Sequence, residues 1–253
     1  MSNFQFTRPD AFPPIVKNLI IINVLVFLAQ VTLGTQYSLT ERIALYPIID
    51  PRLNDLAVLI PGLQPYIGFH PYQIATHMFA HGGISHILFN MFGLYMFGRI
   101  LENVWGPKRF LLFYIICGVG AAVAHMTIGY IRTEQLLDAL LISGNGTVSL
   151  DAISPEAINL IPSLAPALGA SGAIMGIFAA FAYLFPNTEL YIMFIPFPIK
   201  AKYAVIGFAA IDLFGGVARI SGDNVAHFAH LGGALTGFIL VLIWNKRNRR
   251  RFY

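Results

Sequence analysis

Three short segments place serine, histidine and asparagine side chains inside otherwise apolar runs. They read His86-Ile-Leu-Phe-Asn90, Gly169-Ala-Ser171-Gly172 and His230-Leu-Gly-Gly233-Ala-Leu-Thr-Gly237. A serine hydroxyl is a weak nucleophile until a neighbouring base takes its proton, and histidine is the side chain that most often serves as that base. Ser171 and His230 are therefore a candidate nucleophile and general base for acyl transfer.

The same segments contain the donors that acyl transfer requires. Negative charge develops on the carbonyl oxygen of the substrate and is stabilised by hydrogen-bond donors fixed in advance. His86 and Asn90 are four residues apart and share one face if the segment is helical. A helix that begins at Ser171 adds backbone N–H groups without partners inside the helix. We expect these three residues to form an oxyanion hole, with no obligatory acid.

The composition places these segments in a membrane. Of the 253 residues, 57% are hydrophobic and only 11% are charged, whereas soluble domains carry about 25% charged residues. That balance excludes an ordinary soluble enzyme and a disordered chain. The single cysteine excludes a disulfide framework and an all-cysteine metal site.

Six segments are apolar enough to cross a bilayer, which takes roughly 17–25 residues in a helix. They cover residues 16–33, 84–101, 110–131, 170–185, 201–217 and 225–244. No small-residue cleavage site follows the first, so we expect a retained span and not a signal peptide. The sequence therefore predicts an all-α integral membrane protein, a six-helix bundle that forms one domain over residues 1–253.

The basic residues predict the orientation of this bundle. Twelve of the sixteen Lys and Arg residues fall on one face, and only Arg42, Arg52, Arg132 and Arg219 fall on the other. The positive-inside rule then places both termini in the cytoplasm. The basic cluster at 246–251 has this topogenic role or binds anionic lipid, and we expect no nucleic-acid partner. Cytoplasmic tails without a targeting peptide predict a bacterial plasma membrane.

This topology brings the polar segments to one depth. The second, fourth and sixth spans all run inward, so His86, Ser171 and His230 lie near the outer face. Gly172 and Gly176 form a small-residue pair on the fourth span, and Gly233 and Gly237 form another on the sixth. Such pairs let helix backbones approach closely in lipid. Close packing of these two spans is predicted to bring Ser171 to His230.

The three segments resemble the motifs of the rhomboid intramembrane serine proteases. Gly169-Ala-Ser171-Gly172 is similar to the GxSG motif, Ala229 to Gly237 to AHxxGxxxG, and His86 to Asn90 to HxxxN, in the family's order over roughly residues 70–240. Glu102 and Gly106-Pro-Lys-Arg-Phe resemble the family's turn into the third helix. The resemblance implies a six-span fold that cuts membrane-anchored substrates near the outer face.

Carried over by residue, the resemblance makes Ser171 the nucleophile, His230 the base and then the acid, and His86 and Asn90 oxyanion donors. It also implies that the fifth span and the outer loop before the sixth form the gate and cap. We expect transmembrane protein substrates, a lipid bilayer and no cofactor or metal. The Trp-Arg pair of many members is missing from the first outer loop, which is expected to affect loop placement and not chemistry.

Two outer loops are predicted to be long, at residues 35–73 and 132–166. The first carries five prolines and apolar residues such as 58–60, which indicates a partly buried loop in the interface. The second holds Glu134, Asp138 and further acids, with a turn at 144–146 and a short helix opening at 154–156. Its role is either substrate contact or a passive insertion.

Other polar residues have a structural interpretation beside a functional one. His77 and His81 have the i, i+4 spacing of metal ligands, but no acid accompanies them, so structural hydrogen bonding is expected. His125 and His227 are expected to be structural or loop-facing, and Cys117 to lie in the core. Asp212 is the one carboxylate placed well inside a predicted span. It either orients His230 or responds to pH, or it is protonated or hydrogen-bonded, or it lies nearer water than the predicted span boundaries indicate.

Two other functions use the same residues differently. A non-catalytic rhomboid-like protein binds membrane clients, and such relatives commonly lack the serine or the histidine that this chain retains. A small transporter or channel would use the polar segments as an outer vestibule. The transporter is disfavoured because no polar track continues through the cytoplasmic halves of the spans.

Overall fold

The computed structural model describes residues 9–49, 68–143, 165–191, 196–218 and 226–248, and most of them are helical. The helices are α1 (Pro14–Tyr37), α2 (Leu39–Ile43), α3 (Gln73–Thr76), α4 (Ile84–Trp105), α5 (Pro107–Ser143), α6 (Ser171–Leu184), α7 (Ala201–Ala218) and α8 (His227–Asn248). A 3₁₀ turn, His77–Phe79, follows α3, and Leu94–Gly98 within α4 has π-helical bonding. Between α6 and α7, β1 (Glu189–Leu190) pairs antiparallel with β2 (Ile199–Lys200).

Five of these helices are long and apolar enough to span a membrane: α1, α4, α5, α7 and α8. The structure thus confirms a helical protein with membrane-spanning segments. The fourth predicted span, 170–185, differs because α6 has only 14 residues. At a rise of 1.5 Å per residue it is about 21 Å long, shorter than a hydrocarbon layer of about 30 Å.

The short helix α6 lies at the centre of the described helices. Ten of its 14 residues are buried, and it packs against α4, α5, α7 and α8. On one side, Phe178 and Phe181 contact Phe97 of α4, with ring centroids 4.8 and 5.0 Å away. A helix enclosed by protein does not need to match the thickness of the bilayer, which accounts for its length.

The third predicted span ends too early. It was expected to end at residue 131 and to be followed by an outer loop from 132, but α5 continues to Ser143. Glu134 and Asp138 therefore lie on a helix, where Leu136 and Leu137 between them are buried. The error arises because charged residues end a run of hydropathy without ending a helix, and neither Gly nor Pro occurs between Gly129 and Gly144.

The turn that resembles the rhomboid turn joins three helices. Gly106 has φ +80°, a conformation that favours glycine, and Pro107 begins α5, where its missing N–H costs no helical bond. The buried carboxylate of Glu102 accepts the N–H groups of Ile15 and Val16 at 2.9 and 2.8 Å. Glu102 thus caps the first turn of α1 from α4 and fixes their mutual position.

A buried glutamine, not recognisable from the sequence, holds the segments before α4 together. The Gln73 carbonyl oxygen accepts the N–H groups of Tyr46 and His70, and its amide donates to the carbonyl oxygens of Arg42 and Gly68. All four partners belong to backbone, so one side chain links α2, the chain after it and the entry to α3.

Several predicted features lie outside the described residues. They are the middle of the first long loop, including residues 58–60, the turn at 144–146, the helix opening at 154–156, the loop at 219–225 before α8 and the basic residues 249–251. Within the described part, Leu45 and Ala167 exchange two backbone hydrogen bonds of 2.8 Å. That bridge joins the chain just after α2 to the chain just before α6.

Candidate active site

Ser171 and His230 meet at the beginnings of α6 and α8. The Ser171 Oγ lies 2.8 Å from the His230 Nε2, a normal hydrogen-bond distance. The residues are 59 positions apart in the chain, so the contact depends on helix packing and not on a local turn. The arrangement is that of a hydroxyl nucleophile against an imidazole base.

Glycines at the interface of α6 and α8 make this contact possible. A methyl group on Gly233 would overlap the carbonyl oxygen of Gly172, and one on Gly237 would stand 2.5 Å from that of Gly176. Both pairs were predicted to pack closely, and the structure places them against each other. No side chain separates the backbones here, so α8 approaches α6 near enough for its first turn to present His230 to Ser171.

Two side-chain donors face the space beside Gly169, two residues before Ser171. The Nδ1 of His86 accepts the N–H of Gly82 at 3.3 Å, which leaves the proton on Nε2. A methyl group on Gly169 would stand 2.7 Å from that Nε2 and 3.4 Å from the Nδ2 of Asn90. The Asn90 Nδ2 is buried and has no hydrogen-bond partner among the described residues.

An unpaired buried donor costs about 1–3 kcal/mol and calls for an explanation. Asn90 and His86 both aim N–H groups at the same space next to the start of α6. Gly169 has φ +117°, which only glycine adopts without strain, and its N–H donates to the carbonyl of His77 at 2.8 Å. Glycine therefore keeps the space open, and two N–H donors face it, an arrangement that can chemically stabilise a negatively charged oxygen.

Asp212 of α7 is an acid at the site, and the sequence alone leaves its role open among several alternatives. It is 6% exposed, and its Oδ1 accepts the Nδ1–H of His230 at 3.0 Å and that of His227 at 2.8 Å. His227, expected to be structural or loop-facing, is thus a second partner of the same oxygen. The arrangement joins α7 to α8 through a charged group at the site.

The rings of His77 and His81, just before α4, hydrogen-bond to nearby backbone, and the His81 ring centroid lies 5.2 Å from that of His86. The Nδ1 of His77 donates to the carbonyl of Gln73 at 2.9 Å, and that of His81 to the carbonyl of Phe79 at 3.3 Å. Burial lowers the pKa of His77 and lowers that of His81 to about 4. In the part of the chain that the structure describes, no three His, Cys, Asp or Glu side chains are grouped to hold a metal ion. Cys117 is buried in the core, as predicted.

Comparison with known proteins identifies relatives in eukaryotic organelles. The chain is 31% identical over 183 residues to RHOMBOID-like protein 12, mitochondrial, of Arabidopsis thaliana, with 72% of this chain and 48% of that protein covered. It is 29% identical to the Presenilin-associated rhomboid-like protein, mitochondrial, of Homo sapiens (70% and 40% covered) and 28% identical to Rhomboid-like protein 11, chloroplastic, of Arabidopsis thaliana (69% and 53%). The chain thus spans about half the length of these relatives.

These relatives correct the predicted location. A bacterial plasma membrane was expected from the cytoplasmic tails and the lack of a targeting peptide, but the relatives are named as mitochondrial or chloroplastic proteins. The plasma-membrane prediction is therefore wrong. The physical reason is that an asymmetry of Lys and Arg orients a protein across a membrane but does not distinguish one membrane from another.

A family model described as the rhomboid domain matches residues 68–247, which contain α3 to α7, nearly all of α8 and the side chains of His86, Asn90, Ser171, Asp212 and His230. That match covers well over half of the chain and includes the three motifs at the beginnings of α4, α6 and α8. The chain belongs to the rhomboid family.

Proposed function

We propose that this protein is an intramembrane serine endopeptidase in which Ser171 is the nucleophile and His230 the general base. The observation that carries the proposal is the 2.8 Å contact between the Ser171 Oγ and the His230 Nε2 at the beginnings of two packed helices. The donors of His86 and Asn90 beside Gly169 support it. Family membership supports the reaction class, because rhomboids are generally proteases.

The proposed topology has six spans with both termini on the side that carries most basic residues. In it α6 crosses the membrane within the shell formed by α4, α5, α7 and α8, so its 14 residues suffice. The beginnings of α4, α6 and α8 then share the opposite side, and the cleaved bond lies near that face. We place the protein in an organellar membrane, as the names of its relatives indicate.

The reaction follows from the atoms at the site. His230 Nε2 takes the hydroxyl proton of Ser171 as the Oγ attacks the carbonyl carbon of the scissile peptide bond. The resulting oxyanion accepts hydrogen bonds from the His86 Nε2–H, the Asn90 Nδ2–H and the Ser171 N–H. The carbon–nitrogen bond then breaks, and the His230 Nε2–H protonates the leaving amine. In the second half, His230 Nε2 takes a proton from water as the water oxygen attacks the acyl carbon. The bond between that carbon and Ser171 Oγ then breaks, the His230 Nε2–H returns the proton to Oγ, and the carboxylic acid product leaves.

The substrates in this proposal are membrane-anchored proteins whose transmembrane helix unwinds locally. In an intact helix each interior carbonyl oxygen is bound by an N–H four residues later, so the scissile carbonyl reaches the donors only after that turn opens. The segments that hold His86 and His230 carry apolar surface suited to lipid, with Leu88, Phe89 and Leu235 more than half exposed.

Cleavage of a transmembrane reporter by the purified full chain, wild type against Ser171→Ala, tests this function. We expect cleavage by the wild type only, and covalent labelling of Ser171 by a fluorophosphonate probe. A chain that neither cuts nor labels, but binds reporter helices equally with and without the Ser171 hydroxyl, would be a non-catalytic client-binding protein. Equal cleavage by both proteins would refute the assignment of Ser171.

A further inference from the structure

Asp212 is an acid in a place where acids are costly. It lies on α7, one of the helices long and apolar enough to span a membrane, and 6% of its surface is exposed. Ionisable groups inside spanning helices are expensive and usually mark function, with a partner nearby. Its described partners are the two Nδ1 atoms of His227 and His230, both on Oδ1.

The contact with His230 selects one form of the imidazole ring. An ionised carboxylate only accepts hydrogen bonds, so the His230 Nδ1 at 3.0 Å carries a proton. In the neutral ring the Nε2 then holds a lone pair, and this atom lies 2.8 Å from the Ser171 Oγ. The opposite tautomer would point an N–H at the hydroxyl and take no proton from it. A carboxylate on Nδ1 also stabilises the imidazolium that forms during attack.

We propose that Asp212 is a positioning residue that holds His230 in the Nδ1–H form and in line with Ser171. The inference rests on the proposed protease function and adds to its serine and histidine a third group, contributed by α7. Asp212 touches neither the substrate nor the reacting hydroxyl and acts only through the ring of His230.

A purely structural role for Asp212 makes a different prediction. Its shorter bond, 2.8 Å, goes to His227, and that ring sits against Gly215 of α7. If Asp212 serves only to tie α7 to α8, removal of the His227 hydrogen bond would disturb the site as much as removal of the carboxylate. His227→Leu, which keeps most of the side-chain volume, therefore separates the two roles.

The test measures the rate at which a fluorophosphonate labels Ser171 and the kcat and KM for a transmembrane reporter, on full-length protein in detergent. For Asp212→Asn we expect kcat and the labelling rate to fall by a factor of about 10 to 1,000, with KM unchanged. This loss is smaller than the roughly 10⁴-fold loss that replacement of the triad aspartate by asparagine causes in soluble serine proteases. Asp212→Glu should recover part of the loss. Asp138→Asn, the same change at an exposed site on α5, should label at the wild-type rate.

Each outcome has a distinct meaning. Wild-type labelling by Asp212→Asn, or an equal loss in His227→Leu, would overturn the positioning role while the protease function stands. A wild type that does not label would refute the protease function and this inference together. If Asp212→Asn does not fold, the tautomer is read in the wild type from ¹⁵N chemical shifts of His230. The Nδ1–H form supports the inference, and the Nε2–H form refutes it.

Discussion

Replacement of Gly233 by alanine tests whether the close approach of α6 and α8 brings Ser171 to His230. A methyl group at Gly233 would overlap the carbonyl oxygen of Gly172 and stand 2.6 Å from its carbonyl carbon. Carbon atoms that are not bonded rest about 3.5–4.0 Å apart. Because both contacting atoms belong to backbone, which cannot rotate away, the helices must separate by about 1 Å at this point.

A shift of that size is enough to break the proposed pair. The Ser171 Oγ and the His230 Nε2 are 2.8 Å apart, and about 1 Å more exceeds the range of a hydrogen bond. A 1 Å misplacement of catalytic groups can cost about 10²-fold in rate. Extra atoms forced into a packed interface also cost about 1–3 kcal/mol of stability. We therefore expect roughly hundredfold slower labelling of Ser171 and a lower unfolding temperature.

The assay is the rate of fluorophosphonate labelling in detergent, measured on the monodisperse fraction so that unfolded protein does not contribute. Gly207→Ala is the matched control, because its added methyl on α7 meets no described atom within 4 Å. A Gly to Ala change inside a helix adds about 0.5–1 kcal/mol of stability, so this variant should label normally. If Gly233→Ala labels and unfolds like the wild type, the backbone contact does not position the pair.

Three further perturbations address other parts of the structure. Gly169→Ala strains a residue with φ +117° and fills the space in front of the His86 Nε2. The labelling rate of Ser171 should fall about 10²–10³-fold, as for a lost oxyanion donor. An unchanged rate would contradict the proposal that an oxyanion occupies this space. Glu102→Gln keeps only one of the two oxygen acceptors for the N–H groups that begin α1. Denaturant titrations should show a free energy of unfolding lower by about 1–2 kcal/mol, whereas no change would mean that water replaces the cap. The pKa of His81 is lowered to about 4 in the folded chain, so the unfolded chain binds a proton near pH 6.5 that the folded chain does not. The free energy of unfolding should therefore fall by up to about 3 kcal/mol as the pH falls from 6.5 to 4. Unfolding curves of His81→Phe at the same pH values should show a smaller loss.

Hydropathy predicts most of the helices because the cost of exposing polar groups to lipid acts on every residue of a span. It predicted α1, α4, α7 and α8 to within a few residues. It failed for the end of α5, since a helix continues past the membrane wherever the residues favour it, as at Leu136 and Leu137. It also made no distinction between α6 and the longer helices, because the apolarity of one segment does not reveal whether neighbouring helices enclose it.

The residues of the site also divide into those that could be recognised from the sequence and those that could not. Ser171, His230 and the glycine pairs were recognisable because each lies in a short motif whose residue types and spacing suit one chemistry. For Asp212, orientation of His230 was only one of several alternatives and the bond to His227 was missed, since both bonds depend on how α7 is rotated against α8. The single signal was a carboxylate in an apolar helix, which indicates that a partner exists without indicating which one. Gln73 gave even less, because an uncharged polar residue near a helix end is ordinary.

The length of α6 links the fold to the chemistry. In the proposed topology α6 crosses the membrane, and a helix of about 21 Å in a layer of about 30 Å then has at least one end inside the hydrocarbon. The chain after α6 forms the small hairpin that carries the charged Glu189 and Lys200, so the proposed topology places that end at the aqueous side. The inner end is then the one with Ser171, where the first N–H groups of the helix lack helical partners. Low dielectric strengthens a hydrogen bond to a developing negative charge. In the proposed topology, a short central helix therefore puts the proposed nucleophile at the depth where its own backbone donors act most strongly, and the longer helices packed around it cover that end with protein.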